Sequence, residues 1–305
     1  MVKRLSILIC TLNDRVKHVP RVLLTPRDEV CYVVSFQYTD EMFLEMVPPE
    51  LKEREDVTLL PFPSTGLSAN RNNALRHCAT PLALIADDDV TYSHEQLDRL
   101  IETFDSHPEV DVACFQVKTA EGTFFKRYAA EEFDYGEQPA GTYYSSLEIA
   151  FRLDPRLPVF DTRFGLGASY LSCGEEEVFL HQAHKLGLHI RYFPHVICTI
   201  PSTLTTGSRF FEDKRVRRSK GAVFYMLYNE VSAFLRIFKT ALTLRLPDNY
   251  RGVAASLSPS ALSLRWRCFR DMLDGYFYVM RHPLNESKAD DIPLEFQPIN
   301  IWRMP

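Results

Sequence analysis

The chain opens by alternating two hydrophobic periodicities. Apolar runs of strand length occupy residues 5–10, 30–36, 57–62 and 82–86, each followed by polar or turn-forming residues, and this pattern predicts four short buried strands. Between them residues 68–78 and 94–106 read as helices, the second carrying Leu97, Leu100, Ile101 and Phe104 at helical spacing. Strands alternating with helices predict an α/β fold whose mostly parallel sheet is covered on both faces. Sheets of that kind bind ligands at the carboxyl ends of their strands.

The pattern loosens over residues 110–201. It predicts a strand over 110–117, a loop-rich stretch over 136–144, a glycine-punctuated segment over 160–174 and a helix over 175–186 that stops at Gly187. Long irregular segments in a compact domain are usually functional. Beyond Ser208, Phe224, Leu227, Val231, Phe234, Leu235, Phe238 and Leu242 trace one face of a helix, after the basic run Lys214, Arg215, Arg217, Arg218 and Lys220. The organisation expected is an α/β domain over residues 1–208 and a mainly helical region over 209–305.

Composition narrows the function classes. With 305 residues, 46% of them hydrophobic, the chain can bury a large core. Its formal net charge of -5 is unevenly placed, since residues 209–251 hold ten Lys/Arg against four Asp/Glu. A dedicated nucleic-acid-binding domain does not look like this, whereas a basic appendage on an acidic body suits contact with an anionic surface. The seven cysteines are dispersed without C-x-x-C spacing, which points to reduced thiols in a cytoplasmic protein and away from a disulfide framework or a zinc site. The apolar run behind Lys3 and Arg4 is six residues long, too short for a signal peptide core. No stretch approaches the length of an uninterrupted membrane span.

The strongest chemical signal is the apolar run 82–86 leading directly into Asp87, Asp88 and Asp89. Three successive carboxylates at a strand end repel one another and lose hydration, which is costly unless a cation or hydrogen-bond donors compensate. Hard oxygen ligands in that setting suit Mg²⁺ or Mn²⁺ held jointly with a diphosphate. The competing reading is a solvated loop in which Asp88 or Asp89 caps the next helix. At the end of the first strand, Thr11, Leu12 and Asn13 can offer hydrogen bonds to a nucleobase or ribose, or serve ordinary turn chemistry. Arg71, on the helix before the acidic strand, can face phosphate oxygens or steady Asp87.

Four motifs in order carry a family resemblance. The opening strand and loop run from Ser6 through Thr11-Leu12-Asn13-Asp14-Arg15, and Gly66 to Leu75 spells G-x-x-x-x-R-N-x-A-L through Asn70, Arg71 and Asn72. The acidic triplet follows, and then Phe164-Gly165-Leu166-Gly167 with Gly174-Glu175-Glu176-Glu177. Together they resemble family 2 glycosyltransferases of the bacterial capsule, O-antigen and exopolysaccharide type, over about residues 5–207. The resemblance implies a GT-A fold, a nucleotide-diphospho-sugar transferase sandwich, with a C-terminal helical region appended. It also implies inverting transfer from a nucleoside diphosphate sugar, with UDP the usual donor nucleotide, to a glycan or lipid-linked glycan.

By that resemblance the donor-binding set is Thr11, Leu12, Asn13, Arg15, Asp40, Asn70, Arg71, Asp87 and Asp88. Asp87 faces the ribose side, and Asp89 with Asp87 holds the divalent metal, Mn²⁺ or Mg²⁺, that offsets charge on the departing diphosphate. Glu176 falls at the catalytic acid position, with Glu175 beside it, as general base toward the acceptor hydroxyl. Read alone, the three glutamates are acids decorating a helix's first turn.

Two departures from the family pattern stand out. The second strand runs into Gln37-Tyr38-Thr39-Asp40 without the usual D-D-G-S, leaving Asp40 a candidate contact only. Many relatives place a His-Pro pair after the catalytic helix, whereas this chain has Thr199-Ile200-Pro201-Ser202-Thr203. His195 is the nearest substitute metal ligand, although a lone histidine beside a strand is more often structural. Two other functions stay open: a non-catalytic GT-A-like scaffold subunit, and a metal-dependent nucleotidyltransferase, the latter weakened because residues 11–15 lack glycine. The C-terminal amphipathic face has three uses available: peripheral contact with a membrane surface, packing on the catalytic domain, or homo-oligomer formation.

Overall fold

A computed structural model describes residues 2–201, 206–247 and 258–283. It divides into two compact units. Among the described residues the first comprises 2–160 and 179–201, and the second 161–178, 206–247 and 258–283. The division differs from a single cut near residue 208 because Phe164, Leu171 and Val178 pack with Ala222, Val223 and Val279 of the helical region. Residues 248–257 and 284–305 of the expected helical region, and Ser202 and Thr203 of the stretch that lacks the histidine, lie outside the described residues.

The first unit is built on strands β1 (Leu5–Leu12), β2 (Val30–Gln37), β3 (Val57–Phe62), β4 (Leu82–Asp87), β5 (Val112–Thr119), β6 (Phe133–Asp134), β7 (Ile149–Arg152) and β8 (Ile190–Ile200). They form one sheet in the order β3-β2-β1-β4-β7-β5-β8-β6. The β3-β2-β1-β4 half is parallel, β7 enters antiparallel to β4 and β5, and β8 is again parallel to β5. The runs of β1, β2 and β4 are buried nearly throughout because both faces are covered, whereas β3, at the sheet's edge, is only half-buried and not the buried strand expected. On β1, Leu5, Ile7 and Ile9 join one cluster while Leu8 and Cys10 join the other. The first cluster receives Leu97, Leu100, Ile101 and Phe104 of α3 (His94–Ser106), the predicted helical stripe. The second receives Leu75 of α2 (Leu67–Arg76) and Phe179, Leu180 and Ala183 of α4 (Glu175–Lys185). One turn of helix, α1 (Glu50–Glu53), precedes α2.

This topology fixes where a ligand can sit. From β1 the chain steps outward to β2 and β3, then returns to place β4 on the other side of β1. Connections therefore leave β1 and β4 in opposite directions, opening a crevice at their carboxyl ends. Asp87 pairs with Cys10 there, and Leu12 with Gln37.

The second unit centres on α5 (Lys214–Leu227), α6 (Glu230–Thr243) and α7 (Pro259–Arg281). The expected continuous helix through Phe224 and Leu242 is two helices. Tyr228 is extended, and the Asn229 side chain accepts from Ser232 N at 2.9 Å, which starts α6 afresh. Helices α5 and α7 cross at backbone contact. A Cβ on Gly221 would lie 1.8 Å from Met272 O, and one on Gly275 would lie 1.9 Å from Arg218 O. Beside that crossing Arg217 Nε donates to Asp271 Oδ2 at 2.8 Å, both side chains buried, and Arg217 Nη1 donates to Phe210 O and Phe211 O at 3.0 Å each. Among the described residues no helix is long and apolar enough to cross a membrane.

Candidate active site

The three aspartates do not share one job. Asp88 is 2% exposed, and its carboxylate accepts from Thr11 Oγ1 at 2.6 Å, from Arg15 Nε at 3.0 Å and from Arg15 Nη2. Those bonds fall on both of its oxygens, so Asp88 anchors the loop after β1. Asp87 and Asp89 keep side chains 37% and 45% exposed. Arg15 Nη2 also reaches Asp89 Oδ2 at 3.0 Å, and the Asp88 hydrogen bond, working against burial, raises the Arg15 pKa and keeps it charged. The capping alternative fails because α3 is capped by Ser93, whose oxygen accepts from Gln96 N while Gln96 Oε1 accepts from Ser93 N. The acids therefore stand at a strand end without helix-capping duty.

Helix α2 explains how the crevice is held. Gly66 starts it with φ of +100°, a backbone conformation that glycine adopts without strain, and its carbonyl accepts from Gln37 Nε2 at 3.1 Å. The next polar residues are buried, and each ties the helix to a different segment. Asn70 Nδ2 donates to Thr11 O at 3.0 Å, Asn73 Nδ2 donates to Ser35 Oγ at 2.8 Å, and Asn72 exchanges two bonds of 2.8 and 2.7 Å with the backbone of Phe160. Arg71 Nη2 donates to Ser146 Oγ at 2.7 Å and lies 3.8 Å from Asp87 Oδ1, with its guanidinium over the Phe160 ring. The arginine thus steadies Asp87 from within the fold. Beneath it, burial pushes the Cys10 thiol up to about 12, with Arg71 opposing and Asp87 and Asp88 adding. That thiol is inert at neutral pH.

The loops after β1 and β2 are joined by Asn13. It sits at φ of +53°, and its Oδ1 accepts from Thr39 N at 2.9 Å and Thr39 Oγ1 at 3.2 Å. Asp40 caps the short 3₁₀ helix Glu41–Met46, accepting from Met42 N at 2.9 Å. Leu12 is exposed at the same edge. Asn13 Oδ1 and one Asp40 oxygen are thus spent on the loops, and the groups left at this edge are backbone atoms, Leu12, the second Asp40 oxygen and the buried Oδ1 of Asn70, which has no hydrogen-bond partner.

Asp87 and Asp89 supply exposed carboxylate oxygens, a donor set that fits a hard divalent cation completed by phosphate oxygens and water. Among the described residues no three His, Cys, Asp or Glu side chains converge on a cation position. His195 is not brought to the aspartates. Its charged neighbours are Arg99 and Glu132, its ring stacks on Phe193, and burial followed by Arg99 lowers its pKa. The reason is register along β8. Thr91 and Thr199 exchange backbone bonds of 2.8 and 2.9 Å, so the strand passes the acidic loop at residue 199. Four residues upstream is about 13 Å away. Ile200, at the family's histidine position, is buried in the core.

The three glutamates open α4 in the second unit, with Glu175 4% exposed and Glu176 and Glu177 half-buried. Burial pushes the neighbouring Cys173 thiol up to about 12; a hydrogen bond with Ser219 opposes the rise, and the charges of Glu175, Glu177 and Glu176 add to it. Sequence reasoning missed two sets of polar contacts that tie residues 146–148 into the fold. Ser146 meets Arg71 from 75 residues away. The buried cluster in which Lys126 Nζ and Tyr128 Oη donate to Glu148 at 2.8 Å each carried no local motif.

Comparison with known proteins matches the geometry. The chain is similar to Staphylococcus aureus TarS residues 1–349, with a TM-score of 0.54 at 16% identity over 92% of this chain and 91% of that one. The same protein in complex with UDP-GlcNAc gives a TM-score of 0.51 at 16% identity, over 92% of each chain. Longer TarS gives 0.52, with 54% of its chain covered. At these identities the likeness shows the fold, GT-A. No curated protein sequence matches the chain. The model of glycosyl transferase family 2 matches residues 6–162, which include the β1 loop, α2 and all three aspartates. The chain belongs to glycosyl transferase family 2.

Proposed function

We propose that this glycosyltransferase moves a sugar, with inversion, from a nucleoside diphosphate donor to a hydroxyl of a glycan or lipid-linked glycan in cell-surface polysaccharide synthesis. The observation that carries the proposal is the division of labour at the β1/β4 crevice, where Asp88 is buried and anchored while Asp87 and Asp89 remain exposed beside Arg71 and Arg15. A merely structural acidic loop would bury its carboxylates as Asp88 is buried, whereas Asp87 and Asp89 stay exposed to solvent. UDP is the favoured nucleotide, both by family resemblance and because the similar TarS structures hold UDP and UDP-GlcNAc. Whether the sugar is a hexose or an N-acetylhexosamine is set by the side chains lining the donor pocket.

In this reading the edge formed by Leu12, the backbone after Thr11 and the buried Asn70 Oδ1 receives the nucleoside. Asp87 is oriented by Arg71 toward the ribose and, with Asp89, would hold Mn²⁺ or Mg²⁺ against the diphosphate. That cation, when bound, supplies Lewis-acid charge for the leaving group. Arg15 sits on Asp89 and would pass from the carboxylate to the phosphate oxygens as the donor enters. Glu176 accepts the proton of the acceptor hydroxyl while its oxygen bonds to the anomeric carbon and the bond from that carbon to the diphosphate oxygen breaks. Glu175, more deeply buried, stands beside it in the first turn of the helix as the second candidate base.

The test is calorimetric titration with UDP and Mn²⁺, followed by measurement of UDP release from a panel of UDP-sugars. Metal-dependent binding with turnover on at least one donor is expected. Binding without turnover on any donor or acceptor would favour a scaffold subunit instead. Absence of metal-dependent nucleotide binding would remove the donor-site assignment.

A further inference from the structure

Helix α6 distributes its apolar residues against the usual sense. The small or medium Ala233, Ile237 and Ala241 face the interior of the helical unit. The larger Val231, Phe234, Leu235, Phe238 and Leu242 recur at i, i+3, i+4, i+7 and i+11 and are all exposed, Val231 by 71%. On α7, Leu262, Trp266, Phe277 and Met280 form a second exposed stripe, with Trp266 65% exposed. The two stripes are one surface. The Phe269 ring lies 5.6 Å from Trp266, 6.4 Å from Phe234 and 6.1 Å from Phe238. An apolar surface of this breadth costs stability in water and marks an interaction site.

Charge identifies what the surface meets. Residues 230–247 and 258–283 carry seven Lys/Arg against three Asp/Glu. Two of the three acids are engaged within the unit, Asp271 by Arg217 and Asp274 by Arg218 and Lys214. Arg236, Lys239, Arg245, Arg267 and Arg270 are exposed. On a helical wheel Arg236 and Lys239 flank the α6 stripe, as Arg270 flanks that of α7. A second copy docked by this face would set cationic rim against cationic rim. An anionic bilayer offers both complements, apolar depth for the rings and phosphate charge for the rim.

We propose that the α6–α7 face is a docking surface for an anionic lipid bilayer, lying in its interface with the helix axes parallel to the membrane. Trp266 and the phenylalanines enter the headgroup boundary, and the arginines and lysine meet lipid phosphates. The inference rests on the helical unit alone and is independent of the sugar-transfer reading.

Co-sedimentation of the full chain with vesicles tests it. Vesicles of phosphatidylcholine with phosphatidylglycerol should pellet the protein at low salt, with weaker binding at high salt and on phosphatidylcholine alone. The double variant Leu235→Ser/Trp266→Ser removes two exposed side chains, so its circular dichroism and melting temperature should stay unchanged while its partition coefficient falls at least about tenfold. Arg236→Gln with Arg270→Gln should weaken binding and flatten its salt dependence. The proposal is overturned if the full chain does not pellet at low salt, whether a second copy seen by light scattering or residues 284–305 cover the face. It is equally overturned if the Leu235/Trp266 variant binds as the parent does.

Discussion

Two arginine–aspartate pairs in this chain use the same chemistry to opposite ends. In the helical unit Arg217 and Asp271 are both buried, and the guanidinium's Nη1 donates to two carbonyls. At the β1/β4 crevice Arg15 is half-exposed and spreads over one buried and one open aspartate. The first pair is closed, because every charge is answered inside the protein. The second is open, because Asp87 and Asp89 retain exposed carboxylate for a partner from outside. What distinguishes a strut from a site is thus the carboxylate left exposed to solvent, not the presence of paired charge.

The largest effects should come from groups that meet reacting atoms. Glu176→Gln removes the proton acceptor while keeping the side chain's shape, and kcat for sugar transfer should fall about 10²–10⁴-fold with donor affinity unchanged. Loss of donor binding in that variant would move Glu176 out of its role. Asp89→Asn should lower kcat about 10²–10³-fold and weaken Mn²⁺-dependent UDP binding, while thermal stability stays level. Equal activity in parent and Asp89→Asn would collapse the contrast between open and closed pairs.

Stability measurements attack the comparison from its other side. Asp271→Ala leaves Arg217 buried without its counter-ion, so denaturant unfolding should show a loss of about 3–5 kcal/mol. Asp88→Ala strips acceptors from Thr11 and Arg15, and because Arg15 can turn to water the cost should be smaller, about 1–3 kcal/mol. If Asp88→Ala lost activity with no loss of stability, Asp88 would touch substrate and its assignment as an anchor would be wrong.

The sequence made the parallel half of the sheet legible because strands buried on both faces must be apolar throughout, and residues 82–86 meeting the aspartates are of that kind. It could not rank the aspartates, because their fates depend on Thr11 and Arg15, more than 70 residues away in the chain. Nor could it show that Asn70, Asn72 and Asn73 are buried ties, since their partners lie on β1, β2 and at Phe160. The helical face was legible as amphipathic, but not as outward. A stripe of large apolar residues normally faces the core, and here Gly221 and Gly275 draw α5 and α7 so close that α6 packs through its alanines and Ile237.

The smallest expected effect decides the role of Asp40. Its carboxylate accepts from Met42 N at the start of a 3₁₀ helix, which is N-cap chemistry. Its position after β2, on the loop held by Asn13, is also where a nucleobase contact would be sought. The two roles separate cleanly by substitution. Asp40→Ser keeps a capping oxygen, so stability should change little, whereas Asp40→Ala should cost about 0.5–2 kcal/mol. If Asp40 only caps, KM for the donor stays constant across both variants. If it also contacts the base, KM rises in both, because serine's shorter hydroxyl restores the cap but not the reach. A raised KM with parental stability in Asp40→Ser would return Asp40 to the donor site and extend the open side of the comparison by one acid.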